Sequence, residues 1–240
     1  MPNQGIPKRH STKRRRLTIA MMVATVLSVA IGLASPALAW QRYYAATSNV
    51  PLSARIGGSP IQYIGKGTPT DVSCAVLNGP NVVYGNRTVD RLTGGQWVAD
   101  GYLTTPSVNA YPPGVGPCPG YGTTTPANGG VAGQCVWYAL ERFRTYSGVY
   151  PQTSGDAWNI ANSARAYGWA TSTVPRINSI VVFQPWQNGA GSYGHVAYVQ
   201  QVSGPSVYIA EMNGPAPSAV GVAASRWITP VGNVQYVYAP

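Results

Sequence analysis

Between Pro106 and Gly129 the chain packs six prolines and five glycines into 24 residues, among them Pro112-Pro113-Gly114 and Pro117-Cys118-Pro119-Gly120. A stretch of this composition cannot bury a core and favours extended or turn backbone. It therefore divides the 240-residue chain into two folding stretches, 40–105 and 129–240, joined by a linker at 106–128. Everything before Trp40 reads differently. Lys8, Arg9, Lys13, Arg14, Arg15 and Arg16 are followed by the apolar run Leu17 to Leu33 and then Ala37-Leu38-Ala39. That order is a secretory signal, expected to span 1–39 and to be cleaved after Ala39.

The location of the charge excludes a nucleic-acid reading. The formal net charge is +10, but six of the sixteen basic residues belong to the signal. The ten that remain are scattered singly against six acids, so no basic stripe is available to follow a phosphate backbone. A mildly cationic exported chain is still drawn to an anionic polymer such as a bacterial wall. No other segment is apolar enough to insert in a membrane, so a soluble monomer is expected after export, either extracellular or held at the wall. Three cysteines are an odd count for an exported protein. A Cys74–Cys118 disulfide would leave Cys135 as the free thiol.

The first stretch has short β-forming runs at Ile61 to Ile64, Val72 to Val76, Val82 to Tyr84 and Gln96 to Ala99, with turn signals between them at Asn78-Gly79, Gly85-Asn86 and Gly94-Gly95. Such spacing predicts a small all-β barrel. Val50-Pro51-Leu52-Ser53-Ala54-Arg55, Gly65-Lys66-Gly67-Thr68, Val72-Ser73-Cys74 and Trp97-Val98-Ala99-Asp100-Gly101-Tyr102-Leu103 resemble a bacterial Src-homology-3-like domain over about sixty residues. The resemblance implies a wall-peptide binder or a spacer.

The second stretch opens with helical spacing. Val136, Ala139, Leu140 and Phe143 lie on one face of a helix over Cys135 to Ser147 that Gly148 can end. A second helix is expected from Asp156 to Tyr167, capped by Ser154 or Gly155 and stopped by Gly168. β pattern follows at Ser179 to Phe183, His195 to Gln201, Ser206 to Glu211, Arg226 to Ile228 and Val234 to Tyr238. Helices first and an antiparallel sheet second make an α+β plan.

The mature chain has one histidine, His195, so any mechanism using an imidazole must use that one. Cys135 opens a helix, where the macrodipole and unpaired N–H groups favour thiolate, the species that attacks carbonyls. Its own N–H is also placed to stabilise an oxyanion. A turn at Ser203-Gly204-Pro205 folds the His195 strand back so that either Glu211 or Asn213 falls opposite the imidazole; both share a face with Val207 and Ile209. Glu211 is the favoured partner, because a charge-assisted bond stabilises imidazolium more than an amide does. Gln134, Trp186 and Tyr193 are expected around the substrate groove.

Gly133-Gln134-Cys135-Val136-Trp137-Tyr138-Ala139, Gly155-Asp156-Ala157-Trp158, Val181-Val182-Phe183, Gly194-His195-Val196-Ala197-Tyr198-Val199 and Glu211-Met212-Asn213 resemble, in this order, the CHAP family of papain-like cysteine, histidine-dependent amidohydrolases and peptidases. The resemblance spans 129–240. It implies cleavage of amide bonds in peptidoglycan without a cofactor, with Cys135 as nucleophile, His195 as base, and Glu211 and Asn213 completing the site. Asn178 stands where the family often has Gly. Some members hold calcium through several Asp just before the Cys; no Asp occurs here from Gly101 to Gly155, so no metal site is expected. A wall-binding protein without activity, or an acyl transferase using the same residues, are the alternatives.

Overall fold

The computed structural model describes residues 40–240. The signal expected at 1–39 lies outside the described residues. The first half is a six-stranded antiparallel sheet built from β1 (Gln41–Tyr44), β2 (Val50–Ser53), β3 (Pro60–Ile64), β4 (Pro69–Val76), β5 (Val89–Leu92) and β6 (Trp97–Ala99), in the order β1-β4-β5-β6-β2-β3. Its interior gathers Ala45, Val50, Leu52, Val72, Ala75, Leu92, Val98 and Leu103. Two local expectations fail here. Val82 to Tyr84 form no strand: Tyr84 takes a positive φ of 50° and the segment closes a turn through the Val83–Asn86 bridge. The strand that does pair, β5, reads Val-Asp-Arg-Leu, and its charges hide it from an apolar pattern. Asp90 points inward and is fully buried.

Residues 106–128 do not run free as a linker. Val115 and Cys118 are buried, Cys118 is disulfide-bonded to Cys74, and Pro117 bridges Ala75. β7 (Thr124–Thr125) pairs with β8 (Tyr150–Pro151). Tyr121 stands edge-on between Trp97 and Trp169, with ring centroids 5.9 Å away on both sides, and Trp169 in turn meets Phe143 at 5.5 Å. The Cys74–Cys118 bond is the expected one; the aromatic packing leaves no mark in the composition, because a handful of apolar residues suffice to fasten a segment that needs no regular structure. One apolar cluster consequently runs through both halves, from Ile56, Val76 and Trp97 to Leu140, Phe143 and Ile160.

In the second half α1 (Cys135–Ser147) turns Ala139, Leu140, Phe143 and Ser147 inward and ends at Gly148. Gly148 has φ 82°, and an added Cβ would stand 2.3 Å from Ile56 Cγ2, so both conformation and packing demand glycine there. The expected second helix is shorter than its pattern. Ala157–Asn159 form a tight helical turn leading into α2 (Ile160–Ala166), and no side chain caps either start. The sheet order is β13-β12-β11-β10-β14-β9, from β9 (Thr171–Ser172), β10 (Ile180–Phe183), β11 (His195–Ser203), β12 (Ser206–Met212), β13 (Ala223–Ile228) and β14 (Val234–Val237). All its pairings are antiparallel. Alternation sends Ile180, Val182 and Val196 toward the helices. It sends Val181, Phe183, Ala197, Val199, Val207 and Ile209 into a second cluster. Asn178 leads into β10 with φ 66°, a conformation Asn tolerates in place of Gly. Among the described residues no helix is long and apolar enough to cross a membrane.

Candidate active site

Cys135 is the first residue of α1. Gln134 before it is still extended, and no side chain caps the helix, so the N-terminal amides are free to face the thiol. Cys135 is the one cysteine outside the disulfide and is partly exposed. His195 is the first residue of β11 and its ring lies against it. Burial alone would raise the thiol; hydrogen bonding and charge interaction with His195, together with the backbone amides of Val136 and Val196, overcome that and hold Cys135 below the usual thiol range.

The imidazole is fixed from three sides. Phe183, its cross-strand partner, stacks on it with an interplanar angle of 7°. His195 Nε2 donates to Glu211 Oε2 at 2.9 Å, since a carboxylate can only accept, and this leaves Nδ1 for Cys135. Gly214 closes the back. A Cβ there would stand 2.9 Å from His195 Nε2 and 3.0 Å from Glu211 Oε2. Burial pushes the imidazole down, but Cys135 and Glu211 outweigh it and raise His195 to about 9. Glu211 is fully buried; desolvation alone would raise it, and His195 and Arg226 together bring it below the ordinary carboxylate range.

Arg226 is the residue that the sequence reading did not single out. From β13 its Nε donates to Glu211 Oε1 at 2.6 Å and its Nη2 to Glu211 Oε2 at 3.3 Å. Its role becomes visible only once the strands are paired. Arg226 pairs with Ile209, two positions from Glu211, and so reaches the carboxylate diagonally across the strands. Buried Glu211 without a cation would carry a large desolvation cost, and Arg226 offsets it.

The two partners left open for His195 separate cleanly. The β11–β12 register runs Tyr198 with Ala210 and Val199 with Ile209, which extrapolates to His195 opposite Asn213. The ring nevertheless bonds Glu211, because Asn213 lies past the end of β12 with φ 50° and turns away. Asn213 Nδ2 donates to Gln134 Oε1 instead, tying the residue before Cys135 to the end of β12. Gln134, Cys135, His195, Asn213 and Tyr193 line one cavity of about 560 Å3, rich in glycine and including Asp156. Trp186 is highly exposed, has a positive φ of 64°, and is not part of that lining. Among the described residues no three His, Cys, Asp or Glu side chains gather to hold a metal.

Residues 125–213 match the family model of the CHAP domain. This segment is a CHAP domain. The match contains Cys135, His195, Glu211 and Asn213, and Arg226 lies beyond it. Relatives include the staphylococcal secretory antigen ssaA2 of Staphylococcus aureus (strain NCTC 8325), 38% identical over 110 residues, which cover 45% of this chain and 37% of that protein. The secretory antigen SsaA of Staphylococcus aureus (strain Newman) is 37% identical over 99 residues, 41% of this chain and 35% of that one. The chain thus spans little more than a third of the length of these relatives. Among solved structures, an N-acetylmuramoyl-L-alanine amidase from Staphylococcus aureus aligns with 45% of this chain and 30% of its own, at 31% identity and a TM-score of 0.39.

Proposed function

We propose that the chain is a secreted peptidoglycan hydrolase that cleaves an amide bond of the wall peptide by Cys–His nucleophilic catalysis. The observation that carries the proposal is the buried relay Arg226–Glu211–His195 ending at a thiol on a helix N-terminus. A module that only binds has no need to bury a carboxylate in order to raise an imidazole beside a cysteine. The name of the relatives, secretory antigen, supports export.

In this reading the Cys135 thiolate attacks the scissile carbonyl. The Cys135 N–H, at the free helix end, donates to the developing oxyanion. Imidazolium on His195 gives its proton to the leaving amine, so the C–N bond breaks and a thioester remains. Neutral His195 then takes a proton from water, the hydroxide adds to the thioester, and the acid departs as the thiolate re-forms. Glu211 holds the Nε2 proton throughout, so Nδ1 is the only nitrogen that exchanges protons with sulfur and substrate. Asn213 keeps Gln134, and through it the Cys135 backbone, in register with β12. The amino-terminal sheet acts as a Src-homology-3-like module fastened to the catalytic half by Tyr121 and the Cys74–Cys118 bond. Tyr193 forms a wall of the groove.

Digestion of purified peptidoglycan followed by mass spectrometry of the soluble fragments tests the proposal. New peptide amino termini are expected with the wild type and not with Cys135→Ala, accompanied by glycan strands stripped of peptide if the bond cut joins glycan to peptide. If the wild type releases nothing while still co-sedimenting with wall, the chain is a binder. Transfer of an acyl peptide to added amines in preference to water would make it a transferase.

A further inference from the structure

The chain has six acidic residues, all within the described region. Four have side-chain partners, and a fifth, Asp90, is fully buried. Asp71 pairs with Arg42; Asp100 accepts from Asn86; Glu141 accepts from Asn128 and Tyr150; Glu211 accepts from His195 and Arg226. Asp156 is the one exposed acid, and its side chain has no partner among the described residues. It precedes the tight turn Ala157–Asn159 without capping it, and among the described residues no cation stands within ion-pair distance. It also lines the cavity that holds Cys135 and His195, and the residues lining that cavity include no Lys or Arg.

We infer that Asp156 is the specificity-determining residue of the groove and binds a primary ammonium group of the wall peptide close to the scissile amide. This rests on the hydrolase reading and goes further by naming the substrate feature recognised. The physical case is one of complementarity. A lone carboxylate at the rim of a neutral, glycine-rich cleft sets a negative local potential, which attracts a cation and disfavours an anionic or neutral group in the same place. The glycines at 129, 130, 155, 189, 191 and 194 leave the backbone bare around it, so an extended peptide can lie close. Wall peptides offer primary amines from two sources, the side chain of a diamino acid and a peptide amino terminus, and the carboxylate reads the shared chemistry.

The test uses purified peptidoglycan in its native state and after acetylation of its free amines with acetic anhydride, with initial rates at low substrate followed by chromatography of released fragments. The wild type should favour native wall by about three- to tenfold, the range for a charge-assisted contact at a partly exposed site. In Asp156→Asn the native-to-acetylated ratio should fall to near one, and Asp156→Glu should restore part of it. High salt should erode the wild-type preference, because an exposed pair is screened. With partly acetylated wall, tandem mass spectrometry of fragments left uncut shows whether the amine read is the diamino-acid side chain or the amino terminus. Cleavage of both walls at equal rates by the wild type, or a preference that survives Asp156→Asn, overturns the assignment and leaves the hydrolase reading standing. Cleavage of neither wall removes both.

Discussion

Glu211→Gln is the substitution that reports most directly on the relay. The wild-type carboxylate accepts from His195 Nε2 at 2.9 Å and from Arg226 at 2.6 and 3.3 Å, with its side chain 1% exposed. Gln has the same shape but one oxygen and one NH2. If the NH2 faces Arg226, two donors oppose each other in a buried place. If it faces His195, Nε2 must become an acceptor and the ring proton moves to Nδ1, the nitrogen that needs to be free to deprotonate Cys135. Either outcome removes a charge-assisted bond worth about 1.5–3 kcal/mol, so activity should fall by about one to three orders of magnitude. The pH dependence has a definite sign. The active form is thiolate with imidazolium, lost as pH rises through the His195 value of about 9. Without Glu211 that value drops, so the alkaline limb moves to lower pH. The thiol, losing part of its cationic neighbour, moves up and narrows the window from the acid side. Release of soluble fragments from pH 5 to 10, paired with the rate of Cys135 alkylation over the same range, reads both limbs; alkylation needs no substrate. Asn213→Ala should be milder and leave the alkaline limb in place, since its partner is Gln134. A Glu211→Gln enzyme with the wild-type rate and an unmoved alkaline limb would refute the reasoning.

Gly214→Ala places a methyl 2.9 Å from His195 Nε2; it should lower turnover about tenfold or more with little loss of melting temperature, by displacing a fixed acid–base partner. Reducing the Cys74–Cys118 bond opens a loop of sequence separation 44, which loop entropy values at about 4 kcal/mol, and thermal unfolding with and without reductant measures it. In the oxidised protein thiol labelling should modify Cys135 alone. Asp90 is buried and desolvation pushes its carboxyl well above the usual range, aided by the neighbouring Asp100 carboxylate. A raised acid binds its proton more tightly in the folded state, so stability is lost as pH climbs from the ordinary carboxylate range toward the folded value. Asp90→Asn should therefore raise the melting temperature by a few degrees at pH 8 and by less at pH 4.

What the sequence made legible was periodic or chemically singular, and what it concealed depended on partners far along the chain. The α1 helix was readable because its apolar face and Gly148 obey local rules, and its bounds coincide with the pattern. β10 to β14 were readable from alternation and from Ser203-Gly204-Pro205. His195 stood out because it has no competitor in the described residues. Arg226 did not, since one arginine among nine in the described residues carries no mark until its strand is paired. The choice between Glu211 and Asn213 was beyond turn arithmetic for a related reason. Register counts residues along two strands, whereas the choice turns on where β12 stops, and Asn213 leaves it at a positive φ. β5 was hidden by the charges it buries, and the packing of the proline-rich segment by one tyrosine between two tryptophans, although its disulfide was legible from the cysteine count. In each case the missing information is the identity of a tertiary partner that compensates a locally unfavourable residue. The same logic makes Asp156 informative: it is the one exposed carboxylate, it lines the cavity of Cys135 and His195, and it has no side-chain partner among the described residues, so its partner is to be sought outside the chain.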